Sequence, residues 1–172
     1  YEGSRLMEPR AVVEVALKMV ESGADFIDIG AESTRPGSEM VDSKEEIARL
    51  KPILSEIINR VKIPVSIDTY KAEVAQFAID NGASIINDIS ALTYDEKMID
   101  VIAKSNAGII LMHIKGKPKT MQDNPTYENL MEEIHSYFKE RLKFIAESSI
   151  ECERIVIDPG LGFGKKLEDN YT

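Results

Sequence analysis

Two loops and a handful of single residues in this sequence carry groups that could do chemistry. The segment Asp158-Pro159-Gly160-Leu161-Gly162-Phe163-Gly164-Lys165 follows an apolar run and places three glycines within five residues. Backbone without Cβ atoms can approach a flat or phosphorylated ligand closely. The glycine spacing, and the lack of Ser or Thr after Gly164-Lys165, separate it from a Walker A loop. Phe163 could stack on a planar heterocycle, and Asp158 could accept two hydrogen bonds from an amidine-like edge. The second loop, Ala31-Glu32-Ser33-Thr34-Arg35-Pro36-Gly37, gathers a carboxylate, two hydroxyls and a guanidinium around a Pro-Gly turn. Arg35 offers a planar fork to phosphate or carboxylate, and Thr34 and backbone N–H groups add donors, so this loop could hold an anion.

Single positions add to these. Asp68 closes one apolar run before a helical stretch, where it could cap the helix or aim its carboxylate at a site. Asn87-Asp88 ends the next run, and a two-residue period puts Asn87 with Ile85 on one face and Asp88 on the other. Met112-His113 ends a third. A lone histidine there reads as a hydrogen-bonded structural residue; His135 has no partner at metal spacing, and no zinc site is expected. Cys152 lies between Glu151 and Glu153, two carboxylates that disfavour a thiolate, and is not read as a nucleophile. Asp68, Asn87 and Asp158, with Phe163, Ile89, Ile110 and Met112 as apolar walls, would suit a flat, nitrogen-rich ring with several N–H donors, guanine-like or pterin-like.

Short apolar runs alternating with stretches of helical period must position these groups, a pattern that builds a parallel sheet covered by helices. A helix is expected from about Glu8 to Gly23, opened by Pro9, then a strand from Asp25 to Gly30. The next helix would be capped by Ser43 with Glu46 as its capping-box partner and would run to about Arg60. Strand Pro64 to Asp68 leads into a helix from Lys71 to Asp80, closed by Asn81-Gly82. Strand Ser84 to Asp88, helix Asp95 to Ser105 and a strand ending at His113 follow. Ile114 to Pro125 reads as a long, exposed, mobile loop; a helix from Tyr127 to Ser148 and the strand ending at Asp158 complete the order. Asp28, Asp68, Asn87, His113 and Asp158 all fall at carboxyl ends of strands. An open doubly wound sheet uses two or three strand ends at its switch point, whereas a barrel uses many, so the α/β class predicted is a TIM (β/α)8 barrel. About five of its strands fall in this chain, in one domain over residues 1–172. Such a partial barrel leaves two open strand edges.

Composition narrows the function. The chain has 172 residues, 43% of them apolar, and 21 Lys+Arg against 30 Asp+Glu give a net charge of -9, the wrong sign for nucleic acid or an anionic membrane. Its longest clean apolar run, Ala107 to Met112, is far short of the ~18 residues of a membrane helix. One cysteine fits a reducing compartment, hence the cytoplasm.

Five segments taken together, DIGAESTRPG (28–37), SIDTYKAEVA (66–75), INDIS (86–90), LMH (111–113) and DPGLGFGK (158–165), resemble the dihydropteroate synthases of the pterin-binding TIM-barrel family, in order and spacing, over nearly the whole chain. The resemblance implies a transferase of folate biosynthesis that condenses 6-hydroxymethyl-7,8-dihydropterin pyrophosphate with p-aminobenzoate, releasing pyrophosphate with Mg²⁺ assistance, and works as a homodimer. Carried over by motif, Asp68, Asn87, Asp158, Met112, Phe163, Ile89, Ile110 and Gly162 would contact the pterin. Thr34, Arg35 and Pro36 would serve the p-aminobenzoate and pyrophosphate side, Arg35 and Thr34 as the catalytic pair. The family's Asn ligand to the metal would precede Tyr1, and its Ser-Arg-Lys strand and a later Arg- and His-bearing segment would follow Thr172, so no metal ligand is expected here and the piece is expected to be inactive by itself. A methyltetrahydrofolate:corrinoid methyltransferase would share the pocket at Asp68, Asn87 and Asp158 but not the ESTRPG loop, and a non-catalytic pterin-binding module is the other alternative.

Overall fold

The computed structural model describes residues 8–35 and 37–172; Tyr1 to Met7 and Pro36 lie outside the described residues. Pro9 begins helix α1 (Pro9–Glu21), where its missing N–H costs nothing, and Val13 and Ala16 turn inward. Strand β1 (Ile27–Gly30) follows. The helical stretch after it is two helices, α2 (Ser43–Leu50) and α3 (Leu54–Arg60), because Pro52 supplies no N–H to continue the ladder. The expected capping box is also corrected. Asp42, one residue before Ser43, accepts the Glu45 N–H at 2.8 Å, while Glu46 points inward and is 1% exposed.

Strand β2 (Val65–Asp68) leads into α4 (Ala72–Asp80). Asp68 does not cap this helix; the Ala72 N–H is taken at 2.8 Å by Asp95, a residue two elements away. That commitment, with a second bond from Lys97 N to Asp95 at 3.0 Å, holds residues 95–97 in a turn, so α5 (Met98–Ala103) is shorter than its pattern predicts. Strands β3 (Ile85–Asp88), β4 (Gly108–Met112) and β5 (Ile155–Asp158) and helix α6 (Leu130–Ala146) complete the order. Helix α6 starts three residues later than expected because Asn129 caps it through Glu132 N at 3.3 Å. The segment after β4 is also less exposed than its composition predicts: Ile114 and Met121 are buried.

All five strands are parallel and pair in chain order, β1-β2-β3-β4-β5. A doubly wound sheet reverses direction at its switch point; this one never does, which is the strand order of a barrel. The chain is thus part of a TIM barrel. One face of the sheet buries Ile27, Ile29, Val65, Ile67, Ile86, Ile109 and Leu111 against the helices, forming the main core with residues such as Leu54, Ile57, Met98 and Ile145. By the two-residue period the other face carries Asp28, Ser66, Asp68, Ile85, Asn87, Ile110, Met112 and Asp158. No helix among the described residues is long and apolar enough to cross a membrane.

Asp88 belongs to the helix-facing side, as its alternation with Asn87 requires, and is fully buried. Its carboxylate accepts from Ser90 N (2.8 Å), Ser90 Oγ (2.7 Å) and Leu92 N (2.8 Å). These bonds hold a turn in which Ala91 (φ 49°) and Leu92 (φ 66°) occupy the left-handed region, a strained conformation for residues with a Cβ. Asp88→Ala strands three donors and releases the turn; urea denaturation is expected to show a loss of about 2–4 kcal/mol.

Candidate active site

The register of the strands decides which predicted residues meet. Gly30 pairs with Asp68, Asp68 with Asn87, and Asn87 with Ile110, so these four lie at one level across β1 to β4. Asp158 pairs with Met112 one step nearer the carboxyl rim on the same face. Asp68 and Asn87 are immediate neighbours, and β5 lies two strand spacings from β3, about 10 Å, a width that a bicyclic ring and its substituents can bridge. Ile89, Met112 and Phe163 share a second apolar cluster with Tyr70, Ile114, Met121 and Tyr94, separate from the main core. Ile110 faces the same side from β4.

Hydrogen bonding on this face is incomplete. Ser66 Oγ, Asp68 Oδ1 and Asn87 Oδ1 are buried without partners. Asn87 Nδ2 donates to Asp28 Oδ2 at 3.2 Å, which turns the amide so that its oxygen is left as an acceptor. Asp28 is thereby a site residue whose part was not legible beyond its place at a strand end. Burial pushes the Asp68 carboxyl from its ordinary 3.8 up to about 8, with Asp28 and Glu46 adding repulsion. Buried acceptors without donors are costly, and they are what a ligand edge rich in N–H groups would satisfy.

The glycine-rich loop is shaped differently from the sequence expectation. Gly160 and Gly164, both at positive φ, press against the chain's own backbone: a Cβ at Gly160 would collide with the His113 carbonyl, and one at Gly164 with that of Lys115. Their missing Cβ atoms let the loop pack closely on its own backbone. Gly162 (φ 80°) has open space beside it and donates its N–H to Asn170 Oδ1 at 2.7 Å. Asp158 is oriented by the Gly160 N–H at 2.8 Å. Lys165, to which the sequence assigned no role, turns inward and ties the loop together, with Nζ 2.9 Å from His113 Nδ1, 3.0 Å from Gly160 O and 3.2 Å from Phe163 O. Burial pushes Lys165 down to about 8 and His113 down to about 4, so the imidazole is neutral and accepts through Nδ1. His113 is a hydrogen-bonded structural residue.

Thr34 and Arg35 stand in the loop after β1, Arg35 exposed; Pro36 lies outside the described residues. The base of this loop is held by a cluster that sequence reasoning missed. Glu32 accepts from Tyr70 Oη at 2.9 and 3.1 Å and pairs with Lys71, which also pairs with Glu46. The only available signal was one carboxylate in the loop and one lysine just after Asp68. A cleft of about 680 Å³ opens beside it, lined by Glu32, Met40, Tyr70, Tyr94 and Lys117 among others. Cys152 is exposed, on a single helical turn before β5 and away from these groups in sequence.

The unpaired Asp68 carboxyl has a stability consequence. Between its ordinary 3.8 and about 8 the unfolded chain has released this proton while the folded protein holds it, so the group's contribution to stability falls as pH rises through that window. Asp68→Asn cannot ionise. The variant is expected to match the parent near pH 4 and to exceed it by about 1–3 kcal/mol at pH 9 in denaturant titrations, discounting the full shift for relaxation and water penetration.

Comparison with known proteins places this geometry. The family model described as "Pterin binding enzyme" matches residues 1–172. Dihydropteroate synthase from Synechocystis sp. is 41% identical over 171 residues, covering 99% of this chain and 59% of that sequence. The Clostridium beijerinckii dihydropteroate synthase is 44% identical over 169 residues, covering 98% and 60%. Among solved structures, Yersinia pestis dihydropteroate synthase in a sulfonamide drug complex superposes with a TM-score of 0.92 at 36% identity, over 98% of this chain and 61% of that one. The Xanthomonas albilineans enzyme with 4-aminobenzoic acid gives 0.89 at 36% identity, over 99% and 60%. The chain therefore spans about three fifths of the length of these relatives, and over that span it belongs to the pterin binding enzyme family.

Proposed function

We propose that the protein carrying this chain is a dihydropteroate synthase, a cytoplasmic homodimer joining 6-hydroxymethyl-7,8-dihydropterin pyrophosphate to p-aminobenzoate. The observation that carries the reading is the pair of buried, partnerless acceptors, Asp68 Oδ1 and Asn87 Oδ1, side by side on the inward face. The names of the relatives support the same choice.

In this reading Asp68, Asn87 and Asp158 receive the N–H groups of the pterin, while Met112, Phe163, Ile89 and Ile110 wall its faces and Gly162 leaves room at its edge. The C–O bond between the exocyclic methylene and the pyrophosphate breaks, and its electron pair leaves with pyrophosphate. The amine nitrogen of p-aminobenzoate forms the new C–N bond and then loses a proton. Little acid–base work is needed, so holding the reactants in line and stabilising charge supply the rate. Thr34 and Arg35 meet the departing anion, and with Pro36 they belong to the loop assigned to the p-aminobenzoate and pyrophosphate side. Mg²⁺, when bound, would neutralise the pyrophosphate; among the described residues no group of three or more His, Cys, Asp and Glu could hold an ion. The ESTRPG loop favours the synthase over a methyltransferase.

The complete protein is expected to turn over both substrates to dihydropteroate and pyrophosphate. Asp158→Asn is expected to weaken binding of the pterin pyrophosphate by about 1.5–3 kcal/mol in calorimetry. Unchanged affinity removes Asp158 from the site; binding without product supports the non-catalytic module, and no binding of any pterin overturns the reading.

A further inference from the structure

Three elements converge on one ammonium group beside the anion loop. Lys71, at the junction of β2 and α4, is largely buried, and its Nζ lies between the carboxylates of Glu32 and Glu46, themselves 7% and 1% exposed at the side chain. Glu32 belongs to the loop after β1, Glu46 to α2. Tyr70 gives Glu32 a further donor, its hydroxyl 2.9 and 3.1 Å from the two carboxylate oxygens. Thr69 Oγ1 reaches Glu46 Oε2 at 3.4 Å. From α2, Arg49 Nη1 donates to the Ala31 carbonyl at 2.8 Å, so the residue before Glu32 is held as well.

A buried ionic cluster is a weak source of net stability compared with apolar packing. What it supplies is a defined geometry, and here the geometry links two halves of the candidate site. Glu32 stands two and three residues before Thr34 and Arg35; Tyr70 and Lys71 stand two and three residues after Asp68. The Gly30 backbone closes on the Asp68 side chain as well, since a Cβ there would lie 3.4 Å from Asp68 Oδ2. We propose that Glu32 is a positioning residue: clamped by Lys71 and Tyr70, it sets the loop bearing Thr34 and Arg35 at a fixed place relative to Asp68, so that the leaving anion and the ring are held in one frame. This rests on the synthase reading for the identity of the two ligands, but the clamp itself is independent of it.

Glu32→Gln is suited to the test because Glu46 still neutralises Lys71. Burial pushes Glu46 up to about 7 against the pull of Lys71, and the Glu32 carboxylate adds to that rise, so removing the Glu32 charge favours an ionised Glu46 beside Lys71. Tyr70→Phe removes a donor to Glu32 without altering charge. In the complete protein, amide hydrogen exchange over residues 31–37 is read first, since it needs no activity. It is expected to speed up in both variants while exchange in β2 and the melting temperature hold. With substrates, kcat/KM for the aromatic amine is expected to fall about 10–100-fold in Glu32→Gln, and less in Tyr70→Phe, with pterin affinity unchanged. Exchange at 31–37 that stays at the parent rate overturns the clamp. A loosened loop with undiminished kcat/KM, or an equal loss of pterin affinity, overturns the positioning role. A parent protein that shows no synthase turnover sinks the functional reading alone, and the exchange result still decides the clamp.

Discussion

In-register parallel pairing is the constraint on which the rest of the structure depends. Because each strand aligns with its neighbour at the same height, every second side chain near the carboxyl ends falls on one inward row, and Gly30, Asp68, Asn87 and Ile110 become neighbours although up to 80 residues separate them in the chain. A slip of one residue in any strand would exchange its two faces, sending Asp68 or Asn87 among the helices and Ile67 or Ile86 inward. The apolar alternation that drives core formation therefore also determines which polar groups share the site.

That arrangement leaves Ser66, Asp68 and Asn87 with unmet hydrogen-bonding capacity in a buried place. Groups left unpaired in this way cost stability, which is what singles out this face as the candidate site. Asp88 makes the contrast plain. It is next to Asn87 in sequence, more deeply buried, and fully engaged with Ser90 and Leu92. One carboxylate serves the fold, while Asp68 on the neighbouring strand keeps a buried oxygen without a partner.

The loops around the row are held by charge placed inside the protein. Lys165 gathers the carbonyls of Gly160 and Phe163 with the neutral ring of His113, and Lys71 gathers Glu32 and Glu46. Each ammonium takes the place that water would otherwise fill around unpaired oxygens. Loop residues so fixed can present Phe163 on one side and Thr34 with Arg35 on the other without depending on regular secondary structure.

Much of this was legible in the residues themselves. Strand order, the inward choice of Asn87 over Asp88 and the short list of acceptors follow from alternation and from polar residues at strand ends, since a two-residue period and apolar burial act locally. Helix limits were less legible: Pro52 broke one helix, Asp42 displaced Ser43 as a cap, and Asp95 shortened another by serving a helix elsewhere. The glycines after β5 were visible, yet whether they faced a ligand or the chain's own backbone depended on where Lys115 and His113 came to lie. Only the tertiary structure decided the partners of Lys71, Lys165 and Asp28, because side-chain pairing across 25 to 59 residues depends on the packing of whole elements and leaves no periodic trace in the sequence.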